Sequence, residues 1–228
     1  MDRSSGDKVG EPSRRLEVMR RRIMAANVAC TESAIDDFVL ERYEQMIKHV
    51  PSQATRVLDV GCHTGRGGVV VKKLRPDVEL TGFDCIPERI AALDPSTYHT
   101  GICGWANEIP ADDGSYDAII SGEFIEHVPP RDIDDTLAEF FRVLTLHGRL
   151  VMTTPNPNYL KNKLFGLSVL TEDSHITQHY PNSMRQRLRT IGYSHIRIVG
   201  TGRMTRYIGS HVPFLPVYGA YLVHAEKW

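Results

Sequence analysis

A glycine-rich stretch that begins at Asp59 carries the first group of residues that could do chemistry. Asp59 follows the apolar run at 56–58, and Gly61, Gly65 and Gly67 precede a second apolar run at 69–74. This order predicts a strand, a loop and a helix. A carboxylate at a strand end beside the free amides of a helix start forms a pocket that suits a nucleotide. The spacing Asp-x-Gly-x-x-x-Gly-x-Gly differs from the dinucleotide fingerprint Gly-x-Gly-x-x-Gly.

The second group is Glu123, Glu126 and His127, which directly follow a predicted strand near 117–121. His127 is a candidate general base, because the ordinary imidazole pKa of about 6.5 suits proton transfer near neutral pH. Positions i and i+3 of a helical turn share a face. Glu123, Glu126 and His127 could therefore hold one divalent cation such as Mg²⁺ instead, and both interpretations stay open at this point.

A third position is Asp84, which ends a predicted strand near 78–83 and lies 25 positions after Asp59. In nucleotide-binding βαβ units, an acidic residue about 20 positions along binds the ribose hydroxyls. We expect Asp84 to have this role, with Cys85 and Ile86 packing against an adenine.

The elements that must position these residues alternate between strands and helices. This alternation predicts an α/β protein with a mostly parallel sheet that is covered on both faces. We predict strands near 56–60, 78–83, 97–101, 117–121, 148–154, 193–199 and 219–226, and helices near 16–29, 36–47, 65–74, 87–93, 131–145 and 182–190.

Five segments in this order resemble the motifs of the class I S-adenosylmethionine (SAM)-dependent methyltransferases: the glycine stretch, Asp84, 104–110, 116–120 and 141–157. The resemblance implies a Rossmann-like sandwich with a seven-stranded sheet whose last strand is antiparallel, and SAM as cofactor. His63 replaces a usual glycine and Trp105 a usual acidic residue, so Trp105 either stacks on the adenine or belongs to the core. The implied cofactor-binding residues are Asp59, Gly61, Cys62, Gly65, Asp84, Cys85, Ile86, Gly104, Trp105, Ser121 and Gly122.

The Glu123-x-x-Glu126-His127 element is similar to one found in ubiquinone-biosynthesis O-methyltransferases and in small-RNA 2′-O-methyltransferases. A further histidine ligand of the latter could correspond to His175 or His179. We therefore expect O-methylation of a hydroxyl on a sugar, a glycan or a phenolic small molecule. The alternatives are methylation of an RNA ribose, N-methylation of an aminosugar, and a non-catalytic SAM-binding partner protein.

Bulk properties narrow the function classes. The net charge of −1 argues against general nucleic-acid binding. The sequence contains no run of 18 apolar residues, so we predict no membrane-spanning helix. Four cysteines without metal or redox spacing, at positions 30, 62, 85 and 103, favour a reducing, cytoplasmic location. A dehydrogenase is disfavoured because its glycine fingerprint and a Tyr-x-x-x-Lys donor are missing. The oligomeric state stays open.

The predicted organisation is one catalytic domain over 31–228, preceded by a polar tail and a possible helix within 1–30. Residues 155–181, which we call the insert, interrupt the alternation after a predicted strand. They contain three prolines and the pair His175 and His179. Long connections at strand carboxyl ends commonly serve function, so we predict that the insert is a lid over the acceptor.

Overall fold

The computed structural model describes residues 11–29, 38–172, 174–210 and 212–228. The helices are α1 (Glu11–Ala29), α2 (Phe38–Ile47), α3 (Arg66–Leu74), α4 (Pro87–Ala91), α5 (Ile133–Val143), α6 (Leu160–Leu164), α7 (Pro181–Ile191) and α8 (Thr205–Ile208). The strands are β1 (Arg56–Val60), β2 (Glu79–Asp84), β3 (Thr100–Cys103), β4 (Tyr116–Gly122), β5 (Leu144–Pro155), β6 (Tyr193–Thr201) and β7 (Ala220–Lys227). Single 3₁₀ turns span Ile125–His127, Val169–Thr171 and Leu215–Val217.

The strands form one seven-stranded sheet in the order β3-β2-β1-β4-β5-β7-β6. Strands β1 to β5 pair in parallel, whereas β7 runs antiparallel to both β5 and β6. This arrangement confirms the predicted fold class and the antiparallel last strand. The chain moves outward from β1 through β2 to β3 and then returns to place β4 on the other side of β1. Ligands of open α/β sheets bind in the crevice above such a reversal point.

Both faces of the sheet are covered, as the nearly continuous burial of β1 requires. One core contains Leu137, Phe140 and Leu188 and packs α5 and α7 against the sheet. The other contains Met46, Val70 and Val71 and packs α2 and α3 against the opposite face. The carboxyl ends of β1, β2 and β4 are thereby held at one edge.

Two predicted strands are displaced in the structure. The strand expected at 97–101 begins at Thr100, because the amides of Thr97 and Tyr98 donate to the carbonyl oxygen of Asp94 and close a turn there. The strand expected at 148–154 begins at Leu144, and His147 interrupts it with a φ of 63°. The insert, expected to lack periodicity, contains α6 and a 3₁₀ turn. Among the described helices, none is long and apolar enough to cross a membrane.

Gly67→Ala is expected to destabilise the fold, because a β-carbon at position 67 would lie 2.1 Å from the Tyr43 ring. Overpacking of this kind costs roughly 1–3 kcal/mol, which exceeds the gain of about 1 kcal/mol that alanine brings to an unhindered helix. Urea unfolding followed by circular dichroism measures the change. Val69→Ala, on the exposed face of α3, is the matched control. A Gly67→Ala variant as stable as the wild type would contradict the contact.

Candidate cofactor and acceptor site

A cavity of about 1000 Å³ opens at the carboxyl edge of the sheet, above β1, β2 and β4. Helix α2 borders it through Arg42 and Tyr43. The predicted site residues that line the cavity are Gly61, Cys62, Asp84, Cys85, Gly104, Trp105, Gly122, Glu123 and His127. These residues come from separate segments, and the crossing of the chain between β1 and β4 brings them together.

Five predicted site residues lie in or behind the cavity wall instead of lining it: Asp59, Gly65, Ile86, Ser121 and Glu126. Asp59 is the clearest case, because both of its carboxylate oxygens are occupied. The Tyr43 hydroxyl donates to Oδ1 at 2.8 Å, and the Tyr98 hydroxyl donates to Oδ2 at 2.7 Å. Complete burial raises the pKa of Asp59 to about 6, although both tyrosine hydrogen bonds oppose this shift. Asp59 thus supports the wall of the cavity from behind.

Residues 61–68, the glycine loop, need backbone conformations that side chains disfavour. Gly61 and Gly65 have φ angles of 74° and 78°. A β-carbon at Gly61 would lie 2.8 Å from the Phe124 ring. His63, which replaces the usual glycine, has a φ of 49°, a conformation that histidine adopts more readily than most side chains. Both His63 ring nitrogens are buried without a hydrogen-bond partner among the described residues, and burial lowers the pKa of this imidazole.

Asp84, the last residue of β2, is hydrogen-bonded to the glycine loop. Its Oδ2 accepts a hydrogen bond from the His63 amide at 3.2 Å, and its Oδ1 accepts one from the Ile86 amide at 3.0 Å. The Arg89 guanidinium lies 3.5 Å from Oδ2. Asp84 is buried yet lines the cavity, so its carboxylate is oriented before any ligand arrives.

Trp105 lines the cavity and is half-buried, so it does not belong to the buried core. The Arg20 guanidinium of α1 lies 4.9 Å from the centroid of its ring. Ile23 of the same helix also lines the cavity. Helix α1 therefore forms part of the wall on the Trp105 side, where Arg20 contacts an aromatic ring.

A second group of side chains converges at the cavity, next to the 3₁₀ turn at 125–127. Glu126, His127 and His175, which we call the carboxylate–histidine cluster, each place a ligand atom within 4.8 Å of the others. Glu126 is completely buried, and its Oε2 accepts a hydrogen bond from the Thr154 hydroxyl at 3.1 Å. Its Oε1 has no hydrogen-bond partner among the described residues and lies 3.9 Å from His175 Nε2.

Hydrogen bonds to backbone carbonyls determine the tautomers of the two histidines. His127 Nδ1 lies 2.8 Å from the Ser174 carbonyl oxygen, and His175 Nδ1 lies 2.9 Å from that of Val169. Because a carbonyl oxygen can only accept, each Nδ1 carries the proton and each neutral ring keeps a lone pair on Nε2. Burial lowers the pKa of His127, which keeps this ring neutral.

Charge is poorly compensated inside the cluster. Burial raises the pKa of the Glu126 carboxyl well above its ordinary value, and the nearby Glu123 raises it further. An ionised carboxylate at this depth is costly unless a cation pairs with it. The cluster therefore favours either a protonated Glu126 or a bound positive charge.

The predicted metal set needs revision at Glu123. Glu123 lines the cavity but lies outside the carboxylate–histidine cluster, and its Oε1 faces Arg42 Nε at 3.8 Å. His175 takes part in the cluster, whereas His179 faces the Thr177 hydroxyl and the Ile125 carbonyl. Sequence reasoning left His175 and His179 as equal candidates, because neither has a distinguishing local motif.

Comparison with known proteins agrees with this architecture. Residues 57–148 match the family model described as "Methyltransferase domain". A malonyl-[acyl-carrier protein] O-methyltransferase of Laribacter hongkongensis is 27% identical over 145 residues, which cover 58% of this chain and 47% of that protein. A demethylmenaquinone methyltransferase of Deinococcus radiodurans is 34% identical over 105 residues, or 42% of each protein. The chain thus spans less than half the length of these curated relatives.

Solved structures extend the likeness in fold to most of the chain. A SAM-dependent methyltransferase from Archaeoglobus fulgidus superposes with a TM-score of 0.67 at 20% identity, covering 84% of this chain and 94% of that one. A possible histamine N-methyltransferase from Thermotoga maritima gives 0.68 at 15% identity, covering 90% and 100%. With the sheet order, these findings show that residues 57–148 form a methyltransferase domain and that the chain has the fold of SAM-dependent methyltransferases.

Proposed function

We propose that this protein transfers a methyl group from SAM to a hydroxyl oxygen of a small molecule. The observation that carries the proposal is the carboxylate–histidine cluster, which reaches through His127 and His175 the same cavity that the glycine loop and Asp84 line. A relative named as an O-methyltransferase supports oxygen as the acceptor atom. A sugar, a glycan or a phenolic compound with neighbouring hydroxyls is the acceptor class that we favour.

The residues on the glycine-loop side suit SAM. The close approach of Gly61 to Phe124 leaves no room for side chains, and Asp84 offers a preoriented carboxylate for ribose hydroxyls. We assign the adenine side to Cys85, Gly104 and Trp105, and a cofactor contact to the unpartnered His63 ring. SAM supplies an already activated methyl group, so the protein mainly contributes proximity and alignment.

Several predicted cofactor residues act, in this proposal, by positioning others. Asp59 holds Tyr43 and Tyr98 beneath the glycine loop. Gly65 provides the left-handed residue at which α3 begins. Ile86 and Ser121 are buried in the wall, whereas Gly122 lines the cavity and is the β4 residue that we place beside the cofactor.

The carboxylate–histidine cluster supports two ways of activating the acceptor. His127 Nε2 alone could take the hydroxyl proton as a general base. Alternatively, Glu126, His127 and His175 would hold a divalent metal, which lowers the hydroxyl pKa and orients two adjacent oxygens. The partnerless Glu126 Oε1 and the convergence of the two Nε2 atoms with it favour the metal, and Glu172 Oε2 lies 3.4 Å from His175 Nε2. Two imidazole nitrogens suit Mn²⁺, Fe²⁺ or Zn²⁺ better than Mg²⁺, which prefers oxygen ligands.

The predicted lid is retained for only part of the insert. Residues 174–179 are tied to the 3₁₀ turn at 125–127: the amides of Ile176 and Thr177 both donate to the Glu126 carbonyl at 3.0 Å. Residues 160–170 are mostly exposed, while Asn162 and Leu167 line the cavity. We therefore assign lid movement to 160–170 and a structural role to 174–179.

A cytoplasmic location stays a prediction, supported by the free thiols of Cys62, Cys85 and Cys103.

Hydrogen exchange should separate these two parts of the insert. The amides of Ile176 and Thr177 are expected to exchange slowly in every state, because they bond the turn that carries His127. Amides within 160–170 should exchange quickly and become protected once cofactor product and acceptor bind. Uniformly slow exchange over 160–170 without ligands would mean that the insert is rigid throughout.

Asp84→Asn should weaken binding of S-adenosylhomocysteine by roughly 1.5–3 kcal/mol, about ten- to hundredfold, because charge-assisted hydrogen bonds to ribose hydroxyls are lost. Titration calorimetry measures the affinity. Asp77→Asn, at an exposed carboxylate paired with Arg75, is the control and should bind like the wild type. Equal affinity in Asp84→Asn and the wild type would overturn the proposed cofactor site.

Mn²⁺ binding distinguishes the two activation schemes without knowledge of the acceptor. Calorimetry after chelator treatment should show one site in the wild type, weakened at least about tenfold by Glu126→Gln or His175→Gln because each removes a ligand. Glu123→Gln is the matched control and should bind nearly normally, since Glu123 faces Arg42. If the wild type binds no Mn²⁺, His127 is left as the sole base. Stronger binding of Mg²⁺ than of Mn²⁺ would contradict the expectation that two imidazole nitrogens disfavour Mg²⁺.

A further inference from the structure

Large apolar side chains are exposed on two segments beside the cavity mouth. The insert contributes Leu160, Leu164, Phe165 and Leu170, and the connection between β6 and β7 contributes Tyr207 and Phe214. We call these six residues the apolar patch. Their exposed fractions run from 47% for Leu170 to 77% for Leu164 and 80% for Tyr207. Soluble proteins rarely concentrate so many large apolar side chains without a partner.

The two segments are neighbours. The Asn156 side-chain amide donates to the Leu215 carbonyl at 2.9 Å, and the 3₁₀ turn Leu215–Val217 contacts α6. Both segments also border the cavity, through Leu167 of the insert and Arg203 of the other connection. The apolar patch therefore belongs to two segments that border the cavity through other residues.

The tip of the insert protrudes. A β-carbon added at Gly166 would meet no atom within 4 Å, although Gly166 follows the exposed side chains of Leu164 and Phe165. A protruding apolar tip next to a mouth suits insertion into a soft apolar phase better than packing on a rigid protein groove. Helix α6 has only five residues, so any such insertion is shallow.

The charges nearest the tip of the insert are basic. Residues 155–171 contain Lys161 and Lys163 and no aspartate or glutamate. Glu172 follows this stretch, and Arg206 of the other connection pairs with Glu41. Lys161 and Lys163 are exposed and flank Leu160 and Leu164. Basic residues interleaved with exposed leucine and phenylalanine are typical of segments that lie in the interface of an anionic lipid layer.

We infer that the apolar patch docks this protein on an anionic lipid surface, from which an amphiphilic acceptor enters the cavity with its hydroxylated head first. The assignment of the acceptor rests on the proposed methyl transfer, whereas the docking itself does not. Apolar side chains insert between the lipids, Lys161 and Lys163 meet the anionic headgroups, and the mouth faces the layer. An acceptor with an apolar tail then need not leave the lipid to reach the carboxylate–histidine cluster.

Vesicle co-sedimentation tests the inference with the full chain. The wild type should bind vesicles of phosphatidylcholine with phosphatidylglycerol and bind pure phosphatidylcholine less. The double variant Leu164→Ser/Phe165→Ser should lose about tenfold or more in partitioning, because two large apolar side chains no longer insert. Leu146→Ser is the matched control: Leu146 is 64% exposed but lies at the opposite edge of the sheet. Lys161→Gln/Lys163→Gln should remove the preference for the anionic vesicles.

Two further measurements keep the outcomes separate. The affinity of the wild type for S-adenosylhomocysteine is the independent measurement. A wild type that binds vesicles but fails to bind this ligand would refute the proposed function and leave the docking intact. Light scattering reports the oligomeric state. A wild type that ignores both kinds of vesicle, or a dimer that Leu164→Ser/Phe165→Ser dissociates in place of a vesicle effect, would overturn the docking. Equal loss of partitioning in Leu146→Ser would overturn it as well.

Discussion

The structure of the cofactor end depends on one buried carboxylate and the two tyrosines that it holds. Asp59 accepts hydrogen bonds from Tyr43 of α2 and from Tyr98 of the turn before β3, so it joins three separate segments beneath the glycine loop. Gly67 and Gly68 make this possible, because β-carbons there would lie 2.1 Å and 2.4 Å from the rings of Tyr43 and Tyr98, respectively. The two consecutive glycines are thus needed for the packing of α3 against two aromatic rings, whether or not a ligand is bound. Replacement of any one of these groups would leave a buried polar atom unsatisfied or a ring without space.

The acceptor end is organised by hydrogen bonds instead of by apolar packing. The backbone of 174–177 bonds the turn at 125–127, and the same contact sets the His127 tautomer through the Ser174 carbonyl. The rest of the cluster follows from this contact, because it also brings His175 to the partnerless oxygen of Glu126. The insert thus combines a hydrogen-bonded segment at 174–177 with an exposed apolar tip at Leu164 and Phe165. The two parts suit different tasks, since alignment of a reacting hydroxyl needs fixed groups and entry of an acceptor needs a surface that can adapt.

The cofactor end and the acceptor end each contain a buried carboxyl group, but the two groups differ in their hydrogen-bond partners. The buried carboxyls of Asp59 and Glu126 both have a raised pKa, in each case chiefly because of burial. Asp59 already has two hydroxyl donors, whereas Glu126 has one donor and one partnerless oxygen. The Asp59 carboxyl is therefore complete in its polar pairing, whereas the Glu126 carboxyl needs a proton or a cation to become so. This difference explains why we assign a supporting role to Asp59 and a chemical role to the cluster around Glu126.

The sequence by itself determined the features that depend on local spacing. Alternating apolar runs predicted every strand, with boundary errors of a few residues where a turn at Asp94 and a left-handed His147 shifted β3 and β5. The positions of the glycine loop, Asp84 and His127 on the cavity wall also follow from local order, because parallel strands end at one edge. Only the tertiary structure decided which residues meet across long separations. It placed Asp59 behind the wall, paired Glu123 with Arg42 and selected His175 over His179. No local signal encodes these choices, because each depends on how one loop packs against a segment tens of residues away.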